Sequence, residues 1–172
     1  MKGVALTMHA LHRGEQALAE QLTVIAARHP REHEVCHVTR ELALWSHEHC
    51  RRLAETGRHY GLRLDGPSPS PLEPSEPSEP SANDRRRAEV LSRTPKSVPE
   101  LLRDLRELHL GAAGNSLHWV MLGQAAQAAR DTRLHDVVSF CHPRTLRQMQ
   151  WSTTMIKNLA PQLLTAGDAQ DE

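Results

Sequence analysis

Aromatic side chains are scarce in this sequence: Phe, Trp and Tyr make up 3% of its 172 residues. So few rings leave little of the stacking platform on which single-stranded nucleic acid is bound. Excess charge is lacking as well, because 21 Lys and Arg balance 21 Asp and Glu. A balanced chain has no overall field to draw in a phosphate backbone or an acidic membrane surface, and the run Arg85-Arg86-Arg87 reads as a solvated loop within a polar segment. Neither nucleic acid nor a membrane is an expected partner. No run of ~18 apolar residues is present to span a bilayer. Residues 1–12 carry one Lys and a short apolar run broken by His9 and His12, too weak for a secretory signal, so the N-terminus is expected to belong to the fold.

Cysteine pairs are missing too. Cys36, Cys50 and Cys141 have no CxxC spacing, and on one helix Cys36 and Cys50 would stand roughly 21 Å apart, beyond the ~7 Å reach of a disulfide. A reducing, cytoplasmic setting is expected. The sequence also lacks alternating β-branched runs, Asn-Gly hairpins, a glycine-rich phosphate loop, a nucleophile elbow and zinc-type Cys spacing. No catalytic residue stands out.

What is present is helical periodicity. Met8, Leu11, Leu18, Leu22 and Ile25 recur at 3–4 spacing and predict helix A over 4–29. His29-Pro30 interrupts it, and Val35, Val38, Leu42, Trp45, Leu53 and Tyr60 predict helix B over 33–61. A link this short makes the two helices antiparallel neighbours. Residues 62–99 then hold eight of the eleven prolines, with Glu-Pro-Ser three times over at 73–81. The segment 62–96 is read as one long Pro-rich crossover, which needs roughly 14 extended residues at ~3.1 Å each to run back along a ~42 Å helix. Ser97, as N-cap, and Pro99-Glu100 predict helix C over 97–130, with Leu101, Leu105, Leu108, Ala112, Trp119, Leu122 and Ala126 as its seam. Asp131-Thr132 predicts helix D over 132–165, with Leu134, Val138, Cys141, Met149, Ser152, Ile156, Leu159 and Leu163 inward and a kink at Pro143. The expected architecture is all-α: a single domain over 1–172 forming an antiparallel four-helix bundle with one long crossover between helices B and C.

Two hairpins joined by one crossover resemble the ferritin-like superfamily over nearly the whole chain. The stretches Leu42-Ala-Leu-Trp-Ser-His-Glu-His49, Arg147-Gln-Met-Gln-Trp151 and Ile156-Lys-Asn-Leu-Ala-Pro-Gln162 look like an uncharacterised bacterial subgroup of it. That resemblance implies a place at mid-bundle where two helices each supply a Glu and the other two each supply Glu-x-x-His around two irons. Counting residues from the A–B turn sets Glu15 level with Glu48 and His49, and Glu15 and His49 both continue inward seams. Opposite them helix C offers Gly111, Gly114 and Asn115, and helix D offers Gln148, with no Glu between Leu134 and Pro161.

Too few carboxylates remain to offset two iron dications. The di-iron centre is expected to be degenerate, no cofactor is expected, and one divalent metal ion at most would be held by Glu15, His49 and Glu48. The glycines are expected to make room for the indoles of Trp45 and Trp151. Near the A–B turn, His29, His33, Glu34 and His37 form a histidine patch in which His33 and His37 have chelating i, i+4 spacing. These features predict a non-catalytic binding or structural module, working as a homodimer. The alternative is a metal-binding or metal-dependent oxidase-type protein that uses the Glu15/His49 level.

Overall fold

Apolar side chains at 3–4 spacing are what commit the first segment to a helix, and α1 spans Lys2–Arg28. Its buried face runs Met8, Leu11, Glu15, Leu18, Leu22 and Ile25. In a computed structural model of the chain, residues 2–64 and 99–165 are described, and they contain helices without a strand. Arg28 ends α1, His29-Pro30 turns the chain, and α2 follows over His33–Gly57. The periodicity-based estimate carried this helix to residue 61. Instead, a 3-10 turn takes Arg58–Tyr60, and Gly61 adopts φ 72°, the left-handed geometry that ends helices. The chain then folds back close to Gly57, where an added Cβ would lie 3.1 Å from Leu64 Cδ1.

α3 covers Glu100–Ala129, starting later than the expected 97. Pro99 occupies the cap position with extended backbone (φ −51°, ψ 139°) and no side-chain cap bond. Ser97, expected as the cap, lies outside the described residues, as does nearly all of the 62–96 crossover. Arg130 takes the left-handed conformation (φ 54°), and the Asp131 N–H returns to the Ala126 carbonyl at 2.9 Å, which closes α3. Asp131 then caps α4, Thr132–Thr165, by accepting from the Leu134 N–H at 3.0 Å. That bond, with a second from the Tyr60 hydroxyl, holds the Asp131 carboxyl below its usual range.

α1 packs on α2 and α3, and α4 packs on α3 and α2. Partners along each pair run in opposite numerical order. On α1 and α2, His12 meets Cys50 and, further up α1, Glu15 meets His49. On α3 and α4, His109 meets Ser152 and Ser116 meets His142. Arg28 meets Asp104 while Glu15 meets Trp119. The core is two apolar clusters. One gathers Leu18, Leu22, Ile25, Leu42, Leu105, Leu108 and Met155, the other Met8, Leu11, Leu53, Trp119, Leu122, Leu134 and Cys141. Both buried thiols are pushed up to about 12, Cys50 and Cys141 alike, chiefly by burial and then by the Glu15 carboxylate.

α4 continues through Pro143 and Pro161. Pro143 has no N–H for the Ser139 carbonyl. One residue on, the Arg144 guanidinium donates to the Phe140 carbonyl at 2.8 Å and lies over the Phe140 ring, 3.7 Å from its centre. Arg52 of α2 also stacks on that ring, at 3.6 Å, so one of the two cations binds α4 to its neighbour α2 beside the proline.

Candidate functional site

Between the two apolar clusters lies a layer of buried polar side chains. Glu15, Ser46, His49, Thr145 and Gln148 are fully buried there, and Asn115 nearly so. Each comes from an inward seam position of its helix, so the same 3.6-residue period that buries leucines above and below also buries these groups. Glu15 is central. Its Oε1 accepts from the Trp119 indole N–H at 3.1 Å, and its Oε2 lies 3.2 Å from His49 Nδ1. The second approach is within ion-pair distance yet out of line for a hydrogen bond, and His49 Nε2 has no partner either. The His49 ring stands edge-on to Trp119, with centroids 5.8 Å apart at 82°.

Gln148 fills the α4 side of the layer. Its Nε2 donates to the Leu42 carbonyl at 3.2 Å and to Ser46 Oγ at 3.0 Å, which ties α4 to α2. Gln148 Oε1, Thr145 Oγ1 and Asn115 Nδ2 are buried without hydrogen-bond partners. Asn115 is pressed on Gly14, where an added Cβ would fall 2.1 Å from its Oδ1.

Of the three expected metal ligands, the fold brings Glu15 and His49 together and sets Glu48 elsewhere. Glu48 lies on the outer side of α2, bonded to Arg51 at 2.7 Å and to Arg52 at 2.6 Å. Arg51 first, with help from Arg52, holds the Glu48 carboxyl down at about 2. Among the described residues no three His, Cys, Asp or Glu side chains converge as a metal-holding group. Within the expected histidine patch, His29 pairs with Asp104 at 2.7 Å, while exposed His37 pairs with Glu41 at 3.4 Å.

The indoles depart from expectation too. Trp45 and Trp151 are half-buried, and neither is the neighbour of Gly111 or Gly114. A Cβ on Gly111 would meet Leu18 Cδ1 at 3.4 Å, and one on Gly114 would meet nothing within 4 Å. The fully buried indole is Trp119, named from the sequence only as a seam residue. Its signal was readable: a buried indole requires an acceptor for its N–H, and Glu15 is the one acid buried among the described residues.

A second concave feature opens on the outer side of α3 and α4 and reaches this layer at Trp119, one of its lining residues. Val120, Gly123, Gln124, Gln127, His135, Val138, Ser139, His142 and Pro143 line a groove of about 280 Å³. At its edge Ser116 Oγ and His142 Nε2 are 2.9 Å apart, and burial lowers the His142 imidazole. No protein family, curated protein or solved structure matches this chain. No described helix is long and apolar enough to cross a membrane.

Proposed function

We propose that the chain is an antiparallel ferritin-like four-helix bundle, with residues between α2 and α3 crossing its length, and that it works as a non-catalytic binding or structural module with a degenerate di-iron centre. The opposed numbering along each helix pair supports the connectivity. α2 ends beside the α3–α4 turn, where Tyr60 bonds Asp131, and α3 begins beside the end of α1, where Arg28 pairs with Glu100 at 3.5 Å. A link between those two points has to travel from one end of the bundle to the other, as the single crossover of such folds does.

One observation carries the functional half. Glu15 is the single acidic side chain buried among the described residues, and one of its oxygens is taken by the Trp119 N–H. Two hard dications require several carboxylates. The positions that would supply them hold Asn115, Trp119, Thr145 and Gln148, which bring amide, indole and hydroxyl groups without charge.

A single bound metal ion is the second reading, and the Glu15–His49 geometry favours it. Two ligand atoms held by one ion at ~2.1 Å and subtending roughly 100° lie about 3.2 Å apart, matching the 3.2 Å between His49 Nδ1 and Glu15 Oε2. Thermal melts of wild type, Glu15→Gln, His49→Ala and His33→Ala, each with EDTA and with excess Fe(II), Mn(II) or Zn(II), separate the two. A ligand that binds only the folded state raises stability with the logarithm of its concentration over Kd. The module predicts little metal-dependent shift in wild type. A rise of several degrees that disappears in Glu15→Gln and His49→Ala and persists in His33→Ala would establish the metal site instead.

A further inference from the structure

Between Glu107 and Arg130, α3 carries no Asp, Glu, Lys or Arg, although 24% of the chain is charged. A helix on the outside of a bundle ordinarily keeps its charges on the outer face. Here that face is uncharged, apolar from Leu110 to Met121 with Gln124 and Gln127 beyond. Leu110 (44% exposed), Leu117 (65%) and Met121 (50%) are spaced i, i+7, i+11, one ridge along the helix, with Val120 (44%) on its α4 side. Gly114 is exposed in the same strip, and a Cβ there would meet nothing within 4 Å, so packing within the chain does not account for it.

Immediately beside the ridge runs the groove between α3 and α4, with Val120, Gly123, Val138 and Pro143 among its walls. A ridge and a groove side by side on one uncharged face are complementary under a two-fold rotation, which seats each copy's ridge in the other's groove. We infer that this face is a homodimer interface, in which Leu117 and Met121 of each chain enter the α3–α4 groove of a second copy.

Charge favours a second copy as occupant. A surface with an apolar ridge and a groove lined by neutral amide, imidazole and hydroxyl groups beside Val120, Val138 and Pro143 matches another of its kind, whereas more than half of residues 65–98 are charged residues or proline, a poor cover for it. From Leu110 to Ala128 the strip is about 27 Å long, and with the groove it is roughly two helix diameters, about 20 Å, wide. A projected face of roughly 500 Å² per partner, about 1,000 Å² in total, falls below the standard size and among weak, transient interfaces. An interface of that size suits a weak, reversible association.

Sedimentation equilibrium of the full chain from about 1 to 100 µM tests it. Wild type is expected to approach twice the 19.3 kDa of one chain as concentration rises. Leu117→Glu and Met121→Glu are each expected to remain at the mass of one chain with unchanged helical circular dichroism, and Leu44→Glu, an exposed leucine on α2, is expected to dimerise as wild type does. Hydrogen exchange of the wild type across 108–129, compared at the two ends of the concentration range, requires no variant to fold and should slow at the upper end. A wild type that stays at the mass of one chain throughout, whether or not residues 65–98 shield the face, overturns the inference. So does a Leu117→Glu chain that still dimerises, or exchange across 108–129 that ignores concentration.

Discussion

Glu15 and Trp119 stand 104 positions apart in the chain and share one buried hydrogen bond. Removing the donor leaves a buried acceptor without its partner, which costs roughly 1–3 kcal/mol, and trimming an indole to a phenyl ring leaves a gap besides. Trp119→Phe is therefore expected to destabilise by about 3 kcal/mol, seen in thermal melts as a fall on the order of 6–12 °C for a chain of this size. In the Glu15→Gln background the same substitution should cost less, because the lost bond is weaker there, so the two effects should fail to add by about 1 kcal/mol. Full additivity would show that only indole volume counts. The inward placement of Glu15 and His49 was legible in the sequence because seam periodicity fixes the direction of a side chain. That of Glu48 was not. Glu48 neighbours His49 but points about 100° around the helix from it, where Arg51 and Arg52 hold it at the surface.

At the level of the helix, two glycines in regular α-helix carry opposite consequences. Gly14 has Asn115 Oδ1 at 2.1 Å from where a Cβ would stand, and Gly111 has only ordinary contact with Leu18. Alanine is favoured over glycine within a helix by about 1 kcal/mol, so Gly111→Ala should raise the melting temperature by a few degrees. Gly14→Ala should lower it despite the same gain in propensity, since overpacking a buried site costs about 1–3 kcal/mol. The double change Gly14→Ala with Asn115→Ala should recover most of that loss, and a melt series of the four proteins checks all three expectations. Periodicity located every described helix to within a few residues, because burial and helical spacing agree along each seam. The ends were less legible. Local backbone choices set them, as the left-handed Gly61 and Arg130 show, and the tightness at Gly14 depends on a residue of another helix that no local pattern announces.

For the whole molecule, the connection between α2 and α3 has ample length. Its 34 residues outside the described set could extend past 100 Å at ~3.3 Å each, while α1, at about 1.5 Å per residue, is roughly 40 Å long. Closure entropy changes slowly with loop length. Deleting one Glu-Pro-Ser unit from 73–81 is expected to leave the melting temperature within about 1 °C of wild type. A fall of many degrees would mean that the repeat sits in a fixed register against the helices. The all-helical class was legible from composition and period together. The face that a second chain would cover was not legible, since an uncharged run in α3 reads equally well as core until its neighbours are known.

The polar layer also acts as a register key. If α1 slid along α2 by two turns, Glu15 would leave His49 and Trp119 and face leucines, and a carboxyl buried without partners is heavily penalised. A uniform leucine seam carries no such penalty and tolerates several alignments of nearly equal energy, as polar positions in coiled coils illustrate by selecting one. Ser46 and Gln148 impose the same condition between α2 and α4. The buried polar residues of this layer thus serve as alignment marks. They give this chain one way to be wrapped, out of the several that its apolar stripes alone would allow.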